Sequence, residues 1–187
     1  MHRAISVSVL ALILIGWCCL SRAADTDPLK GLTQKIEAGN LTGRDLAEAY
    51  MQRGAMRMIL KDESGAAADY DQAVSTAPKL ADAYLWRSFG RSETGDFQHA
   101  VDDISQALSL GLADEAAGYY FRAEALRQMK DYRRAIDDYD HAIALDRDFG
   151  YAFIGRGEAK TDAGDEAGAL TDLTQAVEDG GAFYVSK

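Results

Sequence analysis

Ala66, Ala100, Ala135 and Ala169 stand 34, 35 and 34 residues apart, and each is followed seven residues later by another alanine: Ala73, Ala107, Ala142 and Ala176. Two alanines at that separation lie on one helix face, and so small a face lets two helix backbones approach closely. A period of this length admits few folds. Each copy is one supersecondary unit that cannot bury its own stripe and must stack on the next. Other positions keep the same interval. Asp62, Asp96, Asp131 and Asp165 precede the first alanines by four residues, while Asp69, Asp103, Asp138 and Asp172 follow them by three. The aromatics Tyr50, Tyr84, Tyr119 and Phe153 stand three residues before Arg53, Arg87, Arg122 and Arg156. Small residues (Gly54, Ser88, Ala123, Gly157) come directly after those arginines. The agreement defines four units, 47–80, 81–114, 116–149 and 150–183, with one residue inserted near 115.

Each unit reads as two helices. In DYRRAIDDYDHAIALD, residues 131–146, the apolar residues Tyr132, Ala135, Ile136, Tyr139, Ala142, Ile143 and Leu145 mostly step by three or four, the helical period. Asp131 stands where an N-cap belongs, as do its three counterparts, so the second helix of every unit is predicted to start there. Gly95 and Gly164 supply the turn before two of these caps, and Pro78 closes the first unit.

The pattern resembles the tetratricopeptide repeat, a helix–turn–helix unit. The resemblance rests on the aromatic-x-x-x-small start, on GDF..A, KDYRRA and GDEAGA in mid-unit, and on YDQA, ISQA, YDHA and LTQA in the second helix. It covers 47–183 and implies an all-α, right-handed solenoid of four repeats. The chain departs from the family at the eleventh unit position, where Arg57, Arg91, Leu126 and Lys160 replace the usual apolar residue. Looser packing is the expectation there. Residues 24–46 read as a worn half-repeat whose helix, with Leu29, Leu32 and Ile36 on one face, caps the first repeat. TGRD at 42–45 resembles a capping box. At the other end Leu170, Leu173, Ala176 and Val177 are followed only by DGGAFYVSK, with 184–187 a short tail. Either Phe183 and Tyr184 fold back over that end or an associating molecule covers it.

The N-terminus belongs to a different class. After Met1-His2-Arg3 comes AISVSVLALILIGWCCL (4–20), free of charge, then SRA at 21–23. This reads as a signal peptide cut after Ala23, predicting a periplasmic or secreted protein; the alternative is a membrane anchor formed by 4–20. Only with that anchor would the membrane be a partner. Cleavage removes Arg3 and Arg22, taking the net charge from −10 to −12, and removes both cysteines. Such an acidic chain is no partner for nucleic acid. The mature chain has no disulfide to form, so packing alone must hold it.

No nucleophile–base constellation, phosphate loop or cofactor fingerprint occurs, so an enzyme is not expected and no cofactor is implied. His99 and His141 have no cysteine beside them and make no metal site of recognised spacing. DRDFG at 146–150 opens like a calcium loop but has Gly157 where the bidentate glutamate belongs. Each of the four arginines has an aspartate sixteen residues on: Arg53 with Asp69, Arg87 with Asp103, Arg122 with Asp138, Arg156 with Asp172. Structural ion pairs between the facing helices of a unit are expected, in preference to a site for phosphate or carboxylate.

The resemblance implies that first helices line a concave groove. The positions that project into it in the family correspond to Met51, Met58 and Ile59, then Leu85, Trp86, Phe89 and Glu93. They continue as Tyr120, Phe121, Glu124 and Arg127, and as Tyr151, Ile154, Glu158 and Asp162. Such a surface suits a protein or peptide partner with apolar anchors and positive charge. The clamp by which some family members hold a terminal carboxylate is missing, because the fifth and ninth positions carry no Lys or Asn. The function expected is a non-catalytic scaffold in the cell envelope. The alternative is a structural subunit that self-associates or docks through its last helix.

Overall fold

The computed structural model describes residues 27–185, with side chains through 177. The signal or anchor segment predicted at 1–23 lies outside what is described, as do the side chains of Phe183 and Tyr184, on which the proposed covering of the C-terminal end depends. Among the described residues there are nine helices and no strand: α1 (Pro28–Glu37), α2 (Gly43–Ile59), α3 (Glu63–Thr76), α4 (Ala81–Glu93), α5 (Phe97–Ser109), α6 (Glu115–Gln128), α7 (Tyr132–Leu145), α8 (Gly150–Asp162) and α9 (Glu166–Val185). Each helix packs on its successor, and α2 also meets α4 as α6 meets α8. First helices (α2, α4, α6, α8) and second helices (α3, α5, α7, α9) thus alternate along one stack, with α1 against α2.

Local chemistry explains most boundaries. Asp27 accepts from the Leu29 amide and Pro28 occupies the first turn, so α1 starts cleanly. Asp62, Asp131 and Asp165 cap their helices by accepting from Gly65, Arg134 and Gly168 N–H at 3.0, 3.3 and 3.0 Å. Two expected caps fail. Asp96 turns its carboxylate to His99 Nδ1 at 2.7 Å instead. At α2 the capping box does not form, because Gly43 enters at φ +53° and the Thr42 side chain makes no capping bond.

The turn inside every unit needs one residue in the left-handed region. Gly95 and Gly164 supply it at φ +84° and +87°, but Lys61 and Lys130 stand in the same place at φ +64°. Around each, two amides reach back to the end of the first helix, as Lys61 N–H to Met58 O (3.0 Å) and Asp62 N–H to Arg57 O (2.8 Å). This pairing satisfies carbonyls that the helix end would otherwise leave bare. The last helix runs unbroken to Val185, so the tail expected from 184 begins in helix.

All eight seam alanines are buried, at 0–9% exposure. Side chains next to the buried aspartates fill the groove between successive first helices. Tyr70 is fully buried between α2 and α4, where a methyl group added at Gly54 or Gly90 would meet its ring at 2.7 or 3.0 Å. Tyr139 is likewise buried, with Gly155 of α8 closing over its ring. Glycine is required at these places by contact, not by backbone angle.

Candidate interaction groove and its ion-pair spine

An arginine spine fixes the first helices. Arg53 donates through Nε and Nη2 to the two Asp69 oxygens at 2.9 and 2.6 Å. Arg87 holds Asp103 at 2.9 and 2.7 Å, Arg122 holds Asp138 at 2.7 and 2.7 Å, and Arg156 holds Asp172 at 2.8 and 2.6 Å. Each guanidinium also lies over the aromatic ring three residues earlier, 5.3–5.6 Å from its centroid. The remaining nitrogen joins one unit to the unit before: Arg87 Nη1 donates to Asp71, Arg122 Nη1 to Ser105 Oγ, Arg156 Nη1 to Asp140. Hydrogen bonding to the aspartates raises each arginine's pKa. Burial pushes the Asp172 carboxyl up, but bonds from Arg156 and Lys160 outweigh it and hold the group below its ordinary range.

The eleventh-position cations are not gaps in the packing. Arg57, Arg91 and Lys160 place a second positive charge on Asp69, Asp103 and Asp172 at 2.9, 2.6 and 2.8 Å. In the third unit Leu126 takes that place, 1% exposed, and Asp138 relies on Arg122. The inter-unit acceptors escaped the sequence reading, although Asp-Tyr-Asp recurs at 69–71 and 138–140 and marks two of them.

The expected groove residues divide into three groups. Two are core. Met51 is 6% exposed in the seam with Ala47, Ala73, Val74 and Ala83, and Glu124 is 7% exposed beneath Tyr139. Glu124 accepts from the Tyr139 hydroxyl and from Arg127 Nη2 (3.2 Å), so it is an internal acceptor and does not project into the groove. Burial, with Glu124 adding to it, pushes the Tyr139 hydroxyl's pKa up. Burial opposes the Arg127 charge, yet Glu124, Tyr139 and Glu158 prevail and raise its pKa. Half-buried residues make up the second group: Met58, Leu85, Trp86, Phe89, Tyr120 and Phe121. Trp86 stacks over Tyr70 at 6.3 Å, and Tyr120 packs against Phe121 and Phe149 at 5.4 and 5.1 Å.

The third group is open. Tyr151 and Ile154 are 55% and 40% exposed, and Glu158 follows them on the same face of α8 at the i, i+3, i+7 spacing. Glu158 and Asp162 stand near Arg127 at 3.1 and 3.9 Å, with about half of each carboxylate side chain still in water. Ile59 is 48% exposed at the end of α2. Among the described residues no group of His, Cys, Asp and Glu side chains converges as a metal site. Nor is any helix there long and apolar enough to cross a membrane.

Comparison with known proteins agrees with this architecture. The tetratricopeptide-repeat family model matches residues 116–149. A crystal structure of MamA superposes with a TM-score of 0.73 at 19% identity, covering 83% of this chain and 88% of that one. A MamA from Desulfovibrio magneticus RS-1 gives 0.76 at 19% identity, over 90% and 92% of the two chains. YrrB, described as a TPR protein with an unusual peptide-binding site, gives 0.67 at 20% identity, over 81% and 75%. At such identities the likeness is one of fold.

Proposed function

Since this chain is a tetratricopeptide-repeat protein, we propose that it works as a non-catalytic scaffold, holding a peptide or helix of a partner protein against its first helices. The observation that carries this reading is the exposed stripe Tyr151–Ile154–Glu158 on α8. Two large apolar side chains left in water beside a carboxylate suit a ligand with apolar anchors and a lysine or arginine. The described peptide-binding site of YrrB, a fold relative, supports the same use of the fold. The scaffold would act in the cell envelope after export, because residues 1–23 have the layout of a cleaved signal.

The test pairs wild type with Tyr151→Ala/Ile154→Ala in capture from an envelope extract, read by mass spectrometry. Both positions are exposed, so the melting temperature should stay within about 2 °C of wild type. A specific partner lost from the double variant is the expected result. A partner set identical for both proteins would defeat the groove assignment. N-terminal sequencing of the exported form should begin at Ala24; an intact Met1 in the membrane fraction would replace export with anchoring.

A further inference from the structure

We propose that α9 is an open docking face for one additional first-type helix, supplied by a basic partner protein and distinct from the groove. Within the stack, every second helix before α9 is covered by the first helix of the next unit. Glycines mark how close that cover lies: methyl groups added at Gly90, Gly118 and Gly155 would meet Tyr70, Leu108 and Tyr139 at 3.0, 2.8 and 2.6 Å. The register of α5 continues into α9. Leu170 answers to Val101, Leu173 to Ile104 and Val177 to Leu108. Val101 and Ile104 are 3% and 1% exposed under α6, whereas Leu170, Leu173 and Val177 are 68%, 38% and 72% exposed. Leu170 and Val177 are the two most exposed large apolar residues among those described.

A polar feature repeats as well. Ser105 Oγ donates to Val101 O at 2.8 Å and accepts from Arg122 Nη1 at 3.1 Å. Thr174, in its register, makes the same donor bond, to Leu170 O at 2.7 Å, and a hydroxyl that donates once can still accept. The face therefore asks for what α6 gives α5: an arginine onto the hydroxyl and a small residue over the leucines. A second copy of this chain is a poor donor. Its leading first helix, α2, is already packed against α1, and two chains of net charge −10 repel. An amphipathic helix with positive charge is complementary in both respects.

The test uses a labelled peptide with the sequence of residues 114–130, the helix that covers α5, made basic by Asp114→Asn, Glu115→Gln and Glu124→Gln, titrated against the full chain by fluorescence anisotropy. Saturable micromolar binding is expected, weakened at least ~10-fold by Leu170→Asp or Val177→Asp and unchanged by Tyr151→Ala. Both aspartates enter exposed positions, so thermal melting should match wild type. The peptide carrying Arg122→Ala should bind several-fold more weakly. Absence of saturation, or equal binding by the two aspartate variants, would overturn the proposal. So would a dimer in sedimentation that those variants dissolve, since the occupant would then be a second copy. Binding that appears only after removal of 1–26 would likewise overturn it, because the chain's own N-terminus would be the occupant.

Discussion

Tyr70 and Tyr139 stand 69 residues apart in equivalent places and are both fully buried, yet their hydroxyls meet opposite surroundings. The Tyr70 ring lies between glycines and under Trp86, and its hydroxyl has no partner among the described residues. The Tyr139 hydroxyl is bonded to Glu124, which pairs with Arg127, which reaches Glu158. The cause is visible in the register: Ala55, Met58 and Phe89 in the N-terminal half correspond to Glu124, Arg127 and Glu158 in the C-terminal half. One wedge has an apolar seal and the other a charged clamp. At the wedge this fold constrains shape and leaves polarity free, provided buried polar groups are paired.

Of the four buried aspartates, Asp138 alone is held by a single cation among the described residues, and this is where the largest effect is expected. Asp69 has two arginines and Asp138 has one. Arg122→Ala leaves a buried carboxylate without a charged partner and should cost about 3 kcal/mol, against about 1–2 for Arg53→Ala, where Arg57 remains. Equal losses in urea unfolding would break the distinction. The wedges themselves come next. Tyr139→Phe takes the hydroxyl from buried Glu124 and should cost roughly 1–3 kcal/mol. Tyr70→Phe removes an unpartnered hydroxyl and should leave stability unchanged or raise it by up to ~1 kcal/mol. A Tyr70→Phe variant as damaged as Tyr139→Phe would show that the apolar seal is not what holds the first wedge. The smallest effect concerns the turns: Lys61→Gly should stabilise by about 0.5–1 kcal/mol, since glycine sits at φ +64° without strain. Thermal melting decides it, and a lowered midpoint would refute the strain.

Much of this was legible in the chain because it depends on periodic position. The alanine seam, the helix pairs and the arginine–aspartate spacing each follow from one interval, and every copy repeats them. Lys61 and Lys130 hid two of the four turns, since the neighbouring backbone bonds enforce a conformation that lysine does not advertise. The groove was read less well for a related reason. A unit position names which way a residue faces but not what lies over it, so Met51 went to the seam and Glu124 beneath Tyr139. Asp96 shows the same limit at short range, where His99 three residues later competes for the cap.

The units, their helices and the small-residue stripes can be read from local pattern, because helical period and steric size are properties of neighbours along one chain. Which polar groups are buried, and which apolar ones are left in water, follows from how the units stack. Burial depends on the side chain that a neighbouring unit presents: Tyr139 closes over Glu124, while nothing among the described residues closes over Leu170 and Val177.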